Sequence, residues 1–403
     1  MSNKALEGIK VVALIQGIAG PFTAAILASY GAQVLRIESR TRIEWHRQAG
    51  PFIGNKALPD RSVLYQFVNP GTYGVTLNLK HQRAMEVTNR LVKWADVVIE
   101  NFAGGVMKRM GLGYEDLKKI KPDIIMLSAA IYGQTGPYAE VPGYGGTLTA
   151  LTGLPYVTGF PDQMPQFPAQ AVTDFVAPRA NVLAIVAALD YRRKTGKGQY
   201  IDAAQMESAV HLLGPILLQY EANGKEAERT GNRPGYAAPH GVYRCKGDDR
   251  WCAITVFTDE EWEKFCQAIG RPAWTESSEF STLLGRLKNI DELDRLVEEW
   301  TMEHSPEEVV SILQSAGVAA GAVQRGKDLG NDPQLKHRHF YWKLDHPEVE
   351  SFTYSGMPAI LDKTPYEMKR APMLGEHNEY VCTQLLGMSD EEFVELMTEG
   401  VFE

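Results

Sequence analysis

Short apolar runs that alternate with helix-like spacing constrain this chain more than any other feature. Residues 9–15 read Ile-Lys-Val-Val-Ala-Leu-Ile, 34–38 Val-Leu-Arg-Ile-Glu, 96–100 Asp-Val-Val-Ile-Glu and 123–128 Asp-Ile-Ile-Met-Leu-Ser. Runs of this length suit strands buried on both faces, as in a parallel sheet. Between the first two, Ala19-Gly20-Pro21 reads as a turn and Phe22 to Ser29 as a helix stopped by Gly31. That is a βαβ unit. A strand over 75–79, a helix over 81–93, a short helix carrying Lys108, Arg109 and Met110, and another over 114–120 continue the alternation. The prediction is an α/β domain with an open, Rossmann-like, mainly parallel sheet, with ligands beyond the carboxyl ends of its strands. No G-x-G-x-x-G is present, so a nicotinamide or flavin dinucleotide is not indicated. Residues 41–72 show no period and contain several Pro and Gly, which reads as a surface excursion.

Residues 171–199 form the other organising stretch. Val182, Ile185, Val186 and Leu189 fall at helical spacing in a run without charge, 180–189, which predicts a helix buried on all sides. Pro178 fits its first position, and Gly196 fits just past a basic last turn. Asp174 then lies at or just before the helix mouth. An acid there can be a plain cap or dipole partner; from the local pattern, nothing separates that role from chemistry.

At 403 residues, two domains are expected. The large one covers 1–222 and is completed by 371–403. A linker at 223–238, rich in Gly, Asn, Arg and Pro, leads to a smaller α+β domain over 239–345, and a second long linker, 346–370, returns. Inside the smaller domain a hairpin over 241–256, capping boxes at Thr258 and Ser305 and a strand over 318–323 are predicted. A third capping box, at Ser389, opens a closing helix.

A formal net charge of -9 argues against a nucleic-acid binder. No signal-like segment opens the chain and no uninterrupted membrane-length apolar run follows, so a cytoplasmic protein without a membrane span is expected. Four cysteines without Cys-x-x-Cys fit a reducing compartment. Cys245 and Cys252, or His337 and His339 on one strand face, lack further ligands, so no metal is expected.

The motifs Ala19-Gly20-Pro21, Gly31-Ala32, Arg36-Ile37-Glu38, Glu100-Asn101-Phe102, Arg109-Met110-Gly111, Tyr132-Gly133-Gln134-Thr135-Gly136-Pro137, Asp174, Lys194-Thr195-Gly196-Lys197-Gly198-Gln199 and Arg370-Ala371-Pro372-Met373-Leu374-Gly375-Glu376-His377 follow in order. In that order and spacing the chain resembles the class III CoA-transferases, of the formyl-CoA, carnitine and benzylsuccinate types, over almost its whole length. The resemblance implies an interlocked dimer of ring-like subunits, each with a large Rossmann-like and a small domain. It places the family's nucleophilic aspartate on Asp174 and CoA contacts on Ile18, Ala19, Asn101, Phe102, Arg109, Met110 and Tyr144. A basic contact to the adenosine end falls on Ser39 or Arg40. A glutamine that some members place before Ala-Gly-Pro is Ile18 here, with Gln16 two residues earlier.

The implied reaction moves CoA from an acyl-CoA, succinyl-CoA-like, to a small carboxylic acid, with a lean toward an aryl-substituted dicarboxylate such as benzylsuccinate. A carboxylate suits it because it can become both an anhydride and a thioester. The helix mouth should keep Asp174 ionised, and no permanently bound cofactor is required. The partner in the dimer is a second copy or a paralogous chain. Two alternatives stay open. Related racemases act on 2-methylacyl-CoA but need two bases, and their histidine turn reads Gly143-Tyr144-Gly145 here. A non-catalytic subunit of a heteromer is the other.

Overall fold

The computed structural model describes residues 4–168 and 171–403; the opening residues of the N-terminal reading, 1–3, lie outside them. The chain divides into two compact units. One comprises Met1–Leu154, Phe167–Lys225 and Gln334–Glu403, the other Pro155–Gln166 and Glu226–Pro333.

Six parallel strands build the first unit: β1 (Lys10–Leu14), β2 (Gln33–Glu38), β3 (Tyr73–Thr76), β4 (Val97–Glu100), β5 (Ile125–Ala130) and β6 (Tyr200–Ala204). Their spatial order is β3-β2-β1-β4-β5-β6, with every neighbouring pair parallel. The order reverses between β1 and β4, which opens a crevice beyond their carboxyl ends. Apolar side chains fill both faces of the sheet, as the uninterrupted runs require. Val12, Leu35, Val75, Leu91 and Val98 pack on one side; Val11, Val34, Ile99, Leu127, Ile185 and Ala188 pack on the other.

Several local expectations change. Ala19-Gly20-Pro21 is the first turn of a helix, Ala19–Ser29, rather than a turn before it, because a proline early in a helix loses no intrahelical bond. The central helix runs over Val172–Thr195, so Pro178 lies inside it and Asp174 lies within its first turn; Gly196 caps it in the left-handed conformation. Only one face of this helix is buried, with Asn181, Ile185 and Ala188 inward and Leu183 71 % exposed. It is the one helix among the described residues long and apolar enough to cross a membrane, a test that core helices also pass.

Residues 41–72 are no simple surface excursion. Their short helices Trp45–Gln48 and Val63–Val68 bury His46, Arg47, Tyr65 and Gln66. The sequence missed this because the segment buries ion pairs instead of an apolar stripe.

From the sequence, a linker covers 346–370. In the structure the chain rejoins the first unit at Gln334, and β10 (Tyr341–His346) pairs antiparallel with β11 (Val349–Ser355). His337 ends a short helix and His339 has positive φ, so the two share no strand face.

In the second unit β7 (His240–Arg244), β8 (Trp251–Thr255) and β9 (Ala319–Ala322) form an antiparallel sheet, packed on Trp262, Phe265, Leu293 and Leu313. Thr258 and Ser305 cap their helices through the backbone N–H groups of Glu261 and Glu308. The four cysteines are free and buried.

Candidate active site

At the crevice, the loops after β1 and β4 are bonded to each other. Gln16 N–H donates to Asn101 Oδ1 at 2.8 Å, and Asn101 Nδ2 donates to Gln16 O at 2.7 Å. Gly20 must be glycine, since a Cβ there would lie 2.9 Å from Asn101 Cγ and from Ile15 Cβ. Ile18 and Ala19 thereby open the first helix directly beside Asn101, with Phe22 N–H bonded back to Ile18 O at 2.8 Å. Phe102 and Met110 pack partly on the core, and Arg109 is exposed on the helix Val106–Arg109.

That loop is held from below by Glu100. Its carboxylate accepts from the Phe102 N–H at 2.8 Å and from Gln134 Nε2 at 3.3 Å, and Gln134 Oε1 accepts from the Gly105 N–H at 3.2 Å. Burial pushes Glu100 up to about 7, with Asp202 adding to it against the opposing bonds from Ser128 and Phe102. Gln134 of the Gly-Gln-Thr-Gly-Pro motif thus ties the loop after β5 to the loop after β4.

Asp174 lies in the first turn of the central helix. Its Oδ1 accepts from Gln205 Nε2 at 2.5 Å, and the same amide donates to Thr173 Oγ1 at 3.0 Å. Gln205 opens the helix after β6 and is buried. Gly145, first residue of the helix Gly145–Leu151, lies against the other carboxylate oxygen: a Cβ there would be 2.3 Å from Asp174 Oδ2. The carboxylate therefore faces the N-terminal turn of a second helix, a place that suits negative charge. Its pKa is nevertheless raised, because burial outweighs the Gln205 bond and the field of His46. Against the expectation that the helix mouth keeps it ionised, burial acts in the opposite direction and is the largest influence on its pKa.

Behind the β1 loop lies a buried ionic cluster. Glu44 accepts from the Gly17 N–H at 2.6 Å, from His46 Nδ1 at 2.9 Å and from Arg36. A carboxylate so placed fixes the proton of His46 on Nδ1 and leaves Nε2 as a buried lone pair, without a partner among the described residues. Burial and Arg36 push His46 down to about 4, against the pull of Asp174, so the ring is neutral at physiological pH. Arg47 binds Glu38 at 2.8 and 2.9 Å.

Tyr144 and Arg40 are the remaining expected positions. Tyr144 is 74 % exposed at the cap of the helix Gly145–Leu151, its N–H on Thr147 Oγ1 at 3.1 Å. Arg40 is exposed in the loop after β2, its Nη2 donating to Leu374 O at 3.1 Å. The sequence reading missed Gln205, Gly145, Glu44 and His46. Gly145 stood in a Gly-rich loop, and the other three carry no local signal.

The architecture is α/β, a parallel sheet with a switch-point crevice and a half-buried carboxylate against the first turn of a helix. Residues 6–378 match the model of CoA-transferase family III, and the chain belongs to that family. It is a CoA-transferase by that membership. It is 30 % identical to a human succinyl-CoA:glutarate CoA-transferase, over 100 % of this chain and 91 % of that one. It is 31 % identical to the beta subunit of a succinyl-CoA–L-malate CoA-transferase from Chloroflexus aurantiacus, over 98 % of both. The crystal structure of a CAIB/BAIF family protein from Brucella suis superposes with a TM-score of 0.87 at 32 % identity, covering 95 % of this chain and 100 % of that one.

Proposed function

We propose that the chain moves CoA from a succinyl-CoA-like donor to a dicarboxylic acid with Asp174 as nucleophile. The observation that carries this is the Asp174 carboxylate, held by Gln205 on one oxygen and facing the Gly145 helix turn with the other. Asp174 attacks the donor carbonyl, and the tetrahedral adduct expels CoA thiolate to leave a mixed anhydride between Asp174 and the donor acid. The thiolate then attacks the aspartyl carbonyl, freeing the donor acid and forming an aspartyl-CoA thioester. The acceptor carboxylate attacks that thioester, and the thiolate attacks the acceptor carbonyl, which restores Asp174. Each tetrahedral intermediate needs N–H donors, which the helix turn at Gly145–Thr147 can supply. No electron changes hands, so the chemistry calls for no permanently bound metal or redox group.

CoA contacts are assigned to Ile18, Ala19, Asn101, Phe102, Arg109 and Met110, with the adenosine end at Ser39–Arg40 and Tyr144 at the acyl side. For the acceptor, the finer reading is an aryl-substituted dicarboxylate such as benzylsuccinate. Phe175, next to Asp174, stands 5.9 Å from Phe22 and 6.1 Å from Phe67, a surface on which an aryl ring can pack. The large CoA-binding domain is assigned to 1–222 with 334–403 and the small one to 239–333, in a dimer acting in the cytoplasm.

The test uses donor thioester without acceptor. Asp174 should carry CoA as a thioester or the acyl group as an anhydride, and hydroxylamine should trap it as a hydroxamate. Asp174→Ala should lower transfer roughly 10³-fold or more; near wild-type transfer by that variant refutes the assignment.

One observation favours a second reading, α-proton exchange on a 2-methylacyl-CoA: His46 offers a neutral imidazole with a bare Nε2 near Asp174. In deuterated water the transferase reading expects no label at C2. Rapid uptake there would favour the racemase.

A further inference from the structure

After the helix Asp390–Thr398 the chain runs back along β3. Asn78 N–H donates to Val401 O at 2.8 Å, Thr76 Oγ1 donates to Phe402 O at 2.6 Å, and both Val401 and Phe402 are buried. These anchors deliver Glu403 to the loop that follows β2. There its carboxylate accepts from the Thr41 N–H at 2.9 Å and from the Arg40 N–H. It also accepts from Ser39 Oγ at 2.9 and 3.2 Å and from Thr41 Oγ1 at 3.1 Å. Two successive backbone N–H groups with two hydroxyls around one anion form a nest of the kind that binds phosphate.

Among the described residues, no cationic side chain is engaged in this contact. The Arg40 guanidinium turns to Leu374 O, and Arg42 is exposed beside it. The nest lies beyond the carboxyl end of a strand in the parallel sheet, with two arginines at its rim, so it is built for an anion larger than one carboxylate. Glu403 fills it from within the chain.

We propose that Glu403 is a specificity-determining residue that occupies the nest at Ser39–Thr41 and must leave it before a phosphate monoester of the nucleotide can enter. The inference rests on the assignment of the adenosine end of CoA to this loop. A carboxylate tethered one residue beyond a buried anchor meets the nest at high effective concentration. A phosphate cannot share the same donors with it, since like charges in contact repel. Ligand binding is then an exchange: the phosphate takes the N–H and hydroxyl groups and gains Arg40 and Arg42, while Glu403 moves to solvent. Glu403 thereby lowers the affinity for CoA and leaves that for 3′-dephospho-CoA untouched.

Titration calorimetry of the full chain in phosphate-free buffer tests this, with CoA and 3′-dephospho-CoA against wild type, Glu403→Gln and Glu403→Ala. Both variants should bind CoA about tenfold more tightly than wild type, with dephospho-CoA affinity changed by less than about twofold. A CoA-to-dephospho-CoA ratio that is the same in wild type and variants overturns the inference. So does weaker CoA binding by the variants, which would make Glu403 a support of the loop. If the proteins bind neither nucleotide, the CoA assignment itself falls; if they bind both without the change in ratio, only the role of Glu403 falls.

Discussion

At the scale of single residues, the site is an argument about one carboxylate and what touches it. As the proposed nucleophile Asp174 would have to be ionised, and burial raises its pKa above the ordinary aspartate value while the Gln205 amide pulls it down. Activity should therefore fall on the acid side through a midpoint above the ordinary value. Gln205→Met removes a bond to the charged form and should move that midpoint to higher pH; a kcat/KM–pH profile reads it, and an unmoved or lowered midpoint contradicts the role given to Gln205. Gly145 bears on the same oxygen pair by shape. An alanine there would place its Cβ 2.3 Å from Asp174 Oδ2, so the carboxylate must swing away. Misplacing a nucleophile by about 1 Å costs on the order of 10²-fold in rate. Gly145→Ala should show that loss in kcat with its CoA affinity little changed, and near wild-type kcat would mean that Asp174 does not need this position.

At the scale of elements, the strands and the end of the central helix were legible because apolar runs and a capping glycine are local signals. The start of that helix was not, because Pro178 looks like a first position and lies within it instead. The proposed role of Asp174 comes from resemblance; Gln205 and Gly145 carry no sequence signal for theirs, since what brings them to Asp174 is an approach between segments far apart in sequence. The same holds for Glu100, whose role depends on Gln134 reaching across to it from the loop after β5. Its folded pKa of about 7 lies above the ordinary glutamate value, so the sign is that of a buried acid that prefers its proton. Its share of stability is present below the ordinary glutamate range, declines as pH rises through it, and is lost in full above about pH 7. The loss there is on the order of 3 kcal/mol. Glu100→Gln should accordingly flatten the decline in melting temperature of the unliganded protein between about pH 5 and pH 8. A parallel decline in wild type and variant would place the pH dependence elsewhere.

At the scale of the whole molecule, the first unit leaves apolar surface uncovered. The outer face of the helix Val172–Thr195 exposes Leu183 and Val186, and the segment 211–223 exposes Leu212, Leu217, Leu218 and Tyr220. A helix apolar on its outward face needs cover, and contiguous exposed apolar surface on a folded chain marks an interaction site. The expectation that the central helix is buried on all sides thus fails for the single chain and would hold in an assembly. A dimer, with a second copy or a paralogous chain, is the cover proposed. Native mass spectrometry of the purified chain should show a homodimer, or a monomer that pairs when the paralogue is supplied. Leu183→Glu combined with Leu218→Glu should abolish that pairing. In the isolated chain the same exposed positions should tolerate charge within about 0.5 kcal/mol each. The discriminating pattern is therefore loss of assembly with the secondary structure retained. A wild-type chain that stays monomeric with either partner, or a double variant that assembles as before, would mean that these side chains face water in the working enzyme.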